Sequence, residues 1–260
     1  MADDTFTPYG ASHVAVLAVL TALAWWLVRQ GRAVRGTPAA DRLSTGFAVV
    51  FLAVTLPLQV YFNLPGRFDL GLSLPVQLCD LAWLAAIHAL LTRRRWSAAL
   101  TYYWGLTLSV QPILTPDLDA QFPDPAFVLY WAMHGLTVVA AVFLTWGLGI
   151  RPGWDSYRVA VTATAVWAAT VFAFNSAADV NYGFLNEKPD SASLLDLFGP
   201  WPWYLVVETT LIVAVWALIT WPWTRTRPAR REEPGTRPAR PGAPRSGSPG
   251  ARPRRRTRPG

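Results

Sequence analysis

Residues 126–149, "AFVLYWAMHGLTVVAAVFLTWGLG", decide the fold. This run of 24 residues contains no Asp, Glu, Lys or Arg, and its one histidine is His134. An α-helix rises about 1.5 Å per residue, so a helix of this length exceeds the roughly 30 Å thickness of a bilayer's hydrocarbon core. The stretch therefore predicts a membrane-spanning helix.

Six further apolar segments of about 18 to 24 residues accompany this one. Hydrophobic residues make up 52% of the chain and 14 residues are tryptophan, which is more than a soluble domain of 260 residues would carry. We therefore predict an all-α fold, a polytopic seven-helix transmembrane bundle over residues 1–224 in the cell (plasma) membrane. The seven predicted segments are 11–28, 45–63, 73–92, 96–113, 126–149, 156–178 and 203–223.

Basic residues fall in alternate loops of this scheme. The first, third and fifth loops contain Arg29, Arg32, Arg35, Arg42, Arg93, Arg94, Arg95, Arg151 and Arg158. The opposite loops contain only two basic residues, Arg67 and Lys188, and most of the acidic ones. Short loops rich in Lys and Arg face the cytoplasm. The pattern predicts that the N-terminus lies outside the cell and the C-terminus inside.

The net charge of +7 comes from the C-terminal end of the chain. Residues 225–260 carry twelve Arg and two Glu, whereas the rest of the chain has a net charge of −3. This end is rich in Pro and Gly and has no hydrophobic periodicity, so we predict a disordered cytoplasmic tail. Its expected partner is the anionic lipid surface next to the last helix. No specific nucleic acid is expected, and RNA binding by the tail is the alternative.

The only cysteine lies in "SLPVQLCDLAWL", residues 73–84. Ser73 and Pro75 are typical of an N-cap and a first-turn proline, so helix three is predicted to begin at 73. Cys79 would then lie about one turn inside the helix, roughly 10 Å from its outer end. A single cysteine excludes an internal disulfide.

Ionisable and amide side chains in the predicted spans share one depth, near the outer ends of five helices. Polar groups inside a membrane are costly, which makes them candidates for a functional site. We expect this layer to face the outside of the cell. Its members are Cys79, Asp80, Gln111, His134, Asn175, Asp179 and Glu208. Because Cys79 and Gln77 point in nearly opposite directions on a helical projection, helix three is predicted to be central, with protein on most sides.

Two interpretations of Cys79 follow from the residues. A buried cysteine packs as a small hydrophobic side chain in most proteins. Alternatively, His134 takes the thiol proton and the sulfur attacks an ester carbonyl. Asp80 would disfavour the thiolate by charge repulsion, unless its carboxylate turns toward His134 and orients the imidazole. Gln111, Asn175 and Asn181 would either donate hydrogen bonds to the oxyanion or bridge helices as structural amides. Glu208 is either a supporting residue or an interface charge, and His13 and His88 are predicted to be structural.

Four sequence motifs resemble a known family. "LPVQLCDLAWL" (74–84), "QPILTPDL" (111–118), "HG" (134–135) and "NYGFLNEKPDSASLLDLFGPWPWYL" (181–205) resemble the YwaF-type bacterial integral membrane proteins, over roughly residues 40–220. That family is similar to the eukaryotic transmembrane acyltransferase that remodels polyunsaturated ether phospholipids, and distantly to membrane fatty-acid-ester hydrolases with a Thr and His pair. The resemblance implies a nucleophile at Cys79 and a catalytic histidine at His134.

The leading hypothesis is therefore a cysteine-dependent membrane acyltransferase or ester hydrolase, with membrane lipids as substrate. The alternative is a transporter or channel for a small solute or protons, in which Cys79 is structural. No cofactor and no metal are expected. Lys188 lies in a loop and so does not suit a retinal Schiff base, and His88 and His134 lie at different depths, which does not suit haem.

Overall fold

The computed structural model describes residues 5–188 and 194–225, and within them the ordered elements are helical apart from one isolated bridge between Thr5 and Ala120. The α-helices are α1 Ala11–Val34, α2 Pro38–Phe62, α3 Leu78–Thr92, α4 Arg95–Tyr103, α5 Val110–Leu114, α6 Pro125–Val142, α7 Trp154–Ala178 and α8 Trp203–Arg225.

All seven predicted segments are helical, which confirms the all-α prediction. Five helices are long and apolar enough to cross a membrane: Ala11–Val34, Pro38–Phe62, Pro125–Gly147, Trp154–Ala178 and Trp203–Arg225. The fourth segment is one helix interrupted by a π-helical turn, Trp104–Leu108, which joins α4 to α5. A second π-helical turn, Phe143–Gly147, extends α6. The third segment, α3, is apolar but shorter than the others.

Helix α3 begins at Leu78, so the predicted start at Ser73 was wrong. The hydroxyl oxygen of Ser73 accepts a hydrogen bond from the Asp69 N–H at 2.9 Å and stabilises a turn instead of a helix end. The helix is capped at Gln77, whose N–H donates to Oδ2 of Asp80 at 3.1 Å. Cys79 therefore lies in the first turn. The 15 residues of α3 span only about 22 Å.

Helix α3 lies at the centre of the bundle, as predicted. One cluster of buried residues packs α3 against α1, α2 and α6, and it includes Leu27, Phe51, Trp83, Leu90 and Phe143. A second cluster packs the other side of α3 against α4, α7 and α8 through Ala82, Tyr103, Ala160 and Trp216. With protein on both sides, the polar groups at the start of α3 are sheltered from lipid.

The loops gather at the two ends of the bundle. At one end, Arg35 donates to the carbonyl oxygens of Gly147 and Trp146, the latter at 3.0 Å, and Arg93 forms an ion pair with Asp41. These contacts join the end of α1 to the end of the α6 extension, and the end of α3 to the start of α2. At the other end, the hydroxyl of Tyr182 donates to the Leu70 carbonyl oxygen at 2.7 Å, which joins the second and sixth loops. Which end faces the cytoplasm stays a prediction.

The predicted tail lies almost entirely outside the described residues. Helix α8 ends at Arg225, and residues 226–260 are not among those that the structure describes.

Candidate functional site

His134 lies on α6 with 6% of its surface exposed. Its Nδ1 is 2.8 Å from the carbonyl oxygen of Tyr130, one turn earlier on the same helix. A carbonyl oxygen only accepts, so in the neutral imidazole Nδ1 carries the proton and Nε2 keeps a lone pair. Among the described residues, none forms a hydrogen bond with Nε2. The lone pair of Nε2 is therefore unused within the described part of the protein.

Tyr130 connects His134 with the start of α3. The two rings are in contact, with centroids 4.7 Å apart. The Tyr130 hydroxyl donates to the carbonyl oxygen of Pro112 at 2.8 Å, which holds the end of the fourth span against α6. The phenol is also near enough to the Cys79 thiol for the two groups to interact electrostatically. Tyr130 thus packs directly against His134 and interacts electrostatically with the thiol of Cys79.

Cys79 is a partly buried free thiol in the first turn of α3. At 100° per residue it shares a stripe of the helix with Trp83, Ala86 and Leu90. Those three residues belong to the cluster between α3, α2 and α6. The stripe that begins with Cys79 therefore lies on the side of α3 that packs against α1, α2 and α6. The partial positive charge at a helix N-terminus also favours an anion at this position.

Asp80 caps α3. Its side chain is buried, with 6% exposed, and Oδ2 accepts the Gln77 N–H at 3.1 Å. The predicted alternative was that Asp80 orients the imidazole of His134. In the structure, the carbonyl oxygen of Tyr130 provides the hydrogen bond that orients this ring.

The side chain of Asn175 forms hydrogen bonds with the segment that follows α7. Its Nδ2 donates to the Tyr182 carbonyl oxygen at 2.9 Å and to Oδ1 of Asn186 at 3.0 Å, and its Oδ1 accepts the Tyr182 N–H at 3.0 Å. Asn181 donates to the Glu187 carbonyl oxygen at 3.0 Å. Both amides were predicted to bind an oxyanion. Here they hold residues 181–187 in place, and the Asn175 protons are both in use.

Tyr182 fastens this segment to the irregular backbone before α3. Its hydroxyl donates to the Leu70 carbonyl oxygen at 2.7 Å and accepts the Leu74 N–H at 3.0 Å. Burial raises the pKa of Tyr182, and the nearby carboxylates of Asp80 and Asp69 raise it further. The phenol therefore stays protonated at physiological pH, and its hydroxyl remains a hydrogen-bond donor to Leu70. Sequence reasoning missed this residue, although it lies in the long motif at 181–205.

Two more contacts satisfy the same backbone. The Gly183 N–H donates to Oε1 of Gln77 at 3.0 Å, and the Trp167 indole donates to the Val76 carbonyl oxygen at 2.8 Å. Gly183 has a positive φ of 68°, and a Cβ there would lie 2.5 Å from the Trp167 ring. Irregular backbone at membrane depth is tolerated only where protein or a cavity satisfies it. Residues 70–77 meet this condition through Tyr182, Trp167 and Gly183.

The remaining members of the predicted polar layer are Gln111, Asp179 and Glu208. Gln111 and Asp179 are exposed, and Asp179 caps the end of α7 in a left-handed conformation, with φ 55°. Glu208 is half-buried on α8 and interacts electrostatically with Tyr204. Within the predicted layer, the observed contacts thus join His134 to Tyr130, and Asn175 to Tyr182 and Asn186.

The other two histidines make structural contacts. His13 is fully buried, accepts the Tyr9 N–H at Nδ1 and donates from Nε2 to the Ile113 carbonyl oxygen, both at 2.9 Å. His88 stacks on Trp96 with ring centroids 4.6 Å apart. In the described ranges no three His, Cys, Asp or Glu side chains lie together in a way that could hold a metal ion.

Comparison with known proteins places the chain in a family. The sequence profile of the TMEM164 family matches residues 8–220, a range that includes Cys79, His134 and all seven helical segments in whole or in part. No curated protein and no solved structure gives a significant match. Since the matched range covers most of the 260 residues, the chain belongs to the TMEM164 family.

Proposed function

We propose that this membrane protein is a lipid acyltransferase or ester hydrolase in which Cys79 is the nucleophile and His134 the general base. One observation carries the proposal. The Tyr130 carbonyl oxygen holds Nδ1 of His134 in its protonated form, 2.8 Å away, and leaves Nε2 as a base beside the helix that presents Cys79. The thiolate is the reactive form of cysteine, and a buried thiol needs such a base to reach it.

The reaction has two steps. As the Cys79 sulfur bonds to the carbonyl carbon of a lipid ester, the thiol proton moves to Nε2 of His134. The ester C–O bond then breaks, and the departing alkoxide takes the proton from the imidazolium, which leaves an acyl thioester on Cys79. In the second step an alcohol or water loses its proton to His134, attacks the thioester, and releases the thiol. Covalent catalysis replaces one difficult step with two easier ones.

The surroundings of Cys79 suit a lipid substrate. The segment before α3 carries exposed apolar side chains, among them Phe68 at 48% and Leu72 at 77% exposure. Exposed apolar groups next to a short, buried helix are expected to contact acyl chains. A lipid could then approach Cys79 from the side. By the distribution of Arg in the loops, this end of the bundle would face the outer leaflet.

The resemblance to the YwaF-type proteins supports the same reaction. It implies acyl transfer with a nucleophile at the position of Cys79 and a histidine at His134. Of the three amides predicted as oxyanion donors, Gln111 is the one whose side chain has no hydrogen-bond partner within the described ranges. The side chains of Asn175 and Asn181 would first have to break their hydrogen bonds to the backbone of Tyr182 and Glu187.

The test is detection of the acyl thioester. Full-length protein in nanodiscs of diacyl phospholipid is analysed by intact-protein mass spectrometry, before and after treatment with neutral hydroxylamine, which cleaves thioesters. We expect an acyl mass on the wild type that hydroxylamine removes and that Cys79→Ala lacks. His88→Gln, a change at a structural histidine, should keep the acyl mass. Lipid turnover by Cys79→Ala equal to that of the wild type would refute the proposal.

A transporter for protons or a small solute is the second candidate, and the half-buried carboxyl group of Glu208 favours it. In proteoliposomes such a protein would move solute with Cys79→Ser and lose transport with Glu208→Gln. The enzyme hypothesis predicts the opposite dependence for lipid turnover.

A further inference from the structure

Two buried indole N–H groups have no hydrogen-bond partner among the described residues. They belong to Trp83, with 3% of its surface exposed, and Trp131, with 5% exposed. A buried donor without an acceptor is destabilising, because it has given up its hydrogen bond to water. Each of these groups therefore requires an explanation.

Aromatic neighbours account for Trp131. Its ring centroid lies 5.2 Å from that of His13, 6.0 Å from that of Phe6 and 6.1 Å from that of Phe127. An indole N–H surrounded by rings is compensated in part by their electron-rich faces. Trp83 has no such surroundings. Within the described ranges its aromatic neighbour is Phe51, at a centroid distance of 6.5 Å.

Trp83 follows Cys79 by about one turn of α3. Residues four apart on a helix are neighbours on the same face. Long side chains in helices lean toward the N-terminus, so the indole of Trp83 covers the turn that carries Cys79. The unpartnered donor thus belongs to a side chain on the same stripe of α3 as the thiol, one turn further along the helix.

We propose that the Trp83 N–H binds the carbonyl oxygen of the lipid ester that Cys79 attacks. The inference rests on the proposed function and specifies its substrate class as carboxylic esters, since an ether-linked chain has no carbonyl oxygen to accept this proton. Trp83 then fills the role that Asn175 cannot fill while both of its amide protons are bonded elsewhere.

The donor acts when charge develops on oxygen. As the S–C bond forms, the π electrons of the carbonyl group move to its oxygen, which becomes an oxyanion that the indole N–H stabilises without transferring its proton. When the carbonyl group re-forms, the ester C–O bond breaks and the alkoxide leaves with the proton held by His134. A preorganised donor in a dry site is effective because it need not reorient during the reaction.

The first experiment separates carbonyl activation from thiol reactivity. Full-length Trp83→Phe is compared with Trp131→Phe, which removes the other unpartnered indole. Acylation of Cys79 by the p-nitrophenyl ester of a long-chain fatty acid creates an oxyanion, whereas alkylation by iodoacetamide does not. We expect acylation of Trp83→Phe to slow by about 10²- to 10³-fold, as for loss of one oxyanion donor, with alkylation unchanged.

Trp131→Phe should acylate at the wild-type rate. An unchanged acylation rate in Trp83→Phe would overturn the inference. Equal losses of acylation and alkylation would also overturn it, because they would show that Trp83 acts on the thiol or on the fold.

The second experiment does not depend on turnover. Cys79→Ala protein with ¹⁵N-labelled tryptophan is placed in nanodiscs of either diester or diether phospholipid, and the Trp83 indole resonance is assigned from Trp83→Phe. We expect this resonance to shift in diester lipid relative to diether lipid. A shift without thioester formation in the wild type would keep the carbonyl site and reject the catalytic function. The same resonance in both lipids would reject the carbonyl site.

Discussion

Nδ1 of His134 donates to the carbonyl oxygen of Tyr130, 2.8 Å away and one turn earlier on α6. This single bond selects the tautomer of a buried imidazole and directs its Nε2 away from its own helix. The ring of Tyr130 packs against the same imidazole, at a centroid distance of 4.7 Å. The orientation of the base is therefore determined within α6 and does not depend on a carboxylate.

Replacement of His134 should distinguish the structural role of Nδ1 from the catalytic role of Nε2. His134→Asn keeps a donor near the position of Nδ1 and removes Nε2, so the bond to Tyr130 can persist while the base is lost. We expect acylation of Cys79 to fall by about 10²- to 10⁴-fold, the usual contribution of a general base, with little change in melting temperature. Stopped-flow acylation and a thermal melt of the same sample measure both. Full acylation by His134→Asn would contradict the assignment of the base.

Asn175 should control the stability of the segment 181–187. Asn175→Leu removes three hydrogen bonds of a side chain with 1% exposure. Each buried group left unpaired costs about 1–3 kcal/mol, so we expect a loss of about 3 kcal/mol in the free energy of unfolding. Urea unfolding in detergent measures it. Thr170→Ala, an exposed position on the same helix, serves as the control and should change stability little.

Tyr182 should protect the backbone that precedes α3. Tyr182→Phe removes the hydroxyl that bridges Leu70 and Leu74 but keeps the ring. Hydrogen–deuterium exchange of residues 70–77 is expected to become faster in this variant, because both backbone groups lose their partner. Tyr157→Phe, which removes a longer contact of 3.4 Å to Val213, should leave exchange in that segment unchanged. Equal protection in Tyr182→Phe and the wild type would show that other contacts hold the segment.

Gly31 should be needed for the close packing of α1 on α6. A Cβ at Gly31 would lie 2.8 Å from the Phe143 ring and 3.1 Å from the Gly147 backbone. We expect Gly31→Ala to lower stability by about 1–3 kcal/mol, as overpacking does. At Gly46 on α2 a Cβ would meet nothing within 4 Å, so Gly46→Ala should be neutral or slightly stabilising. A comparison of the melting temperatures of the two variants tests whether the available space, and not helix propensity, determines the effect of a Gly→Ala substitution on stability.

The orientation of the bundle can be measured with single cysteines in a Cys79→Ser background. We expect a membrane-impermeant maleimide to label Phe122→Cys on intact cells, because the fourth loop is predicted to lie outside. Arg94→Cys, at an exposed position in the third loop, should react only after permeabilisation. The reverse pattern would place the Cys79 end of the bundle at the cytoplasmic face.

The helical segments were predictable because the tendency of an apolar run to form a helix in a membrane is a property of that run alone. The interruption at Trp104–Leu108 left no comparable signal, since a π-helical turn differs from an α-helix by a single hydrogen-bond step. The start of α3 was misplaced for a related reason. Ser73 and Pro75 are residues typical of a helix start. In the structure, however, Ser73 accepts a hydrogen bond from the Asp69 N–H, and the helix is capped by the bond from the Gln77 N–H to Asp80.

The number of helical segments and the identity of the polar residues within them follow from the amino-acid sequence alone. Hydrophobicity and charge are additive along a chain, so both could be read without knowing which helices touch. How these polar residues are used depends on the folded structure, because a hydrogen bond requires a donor and an acceptor to meet at about 3 Å. Asn175 binds Tyr182 and Asn186, His134 binds Tyr130 within its own helix, and the Trp83 indole has no partner in the described part of the chain.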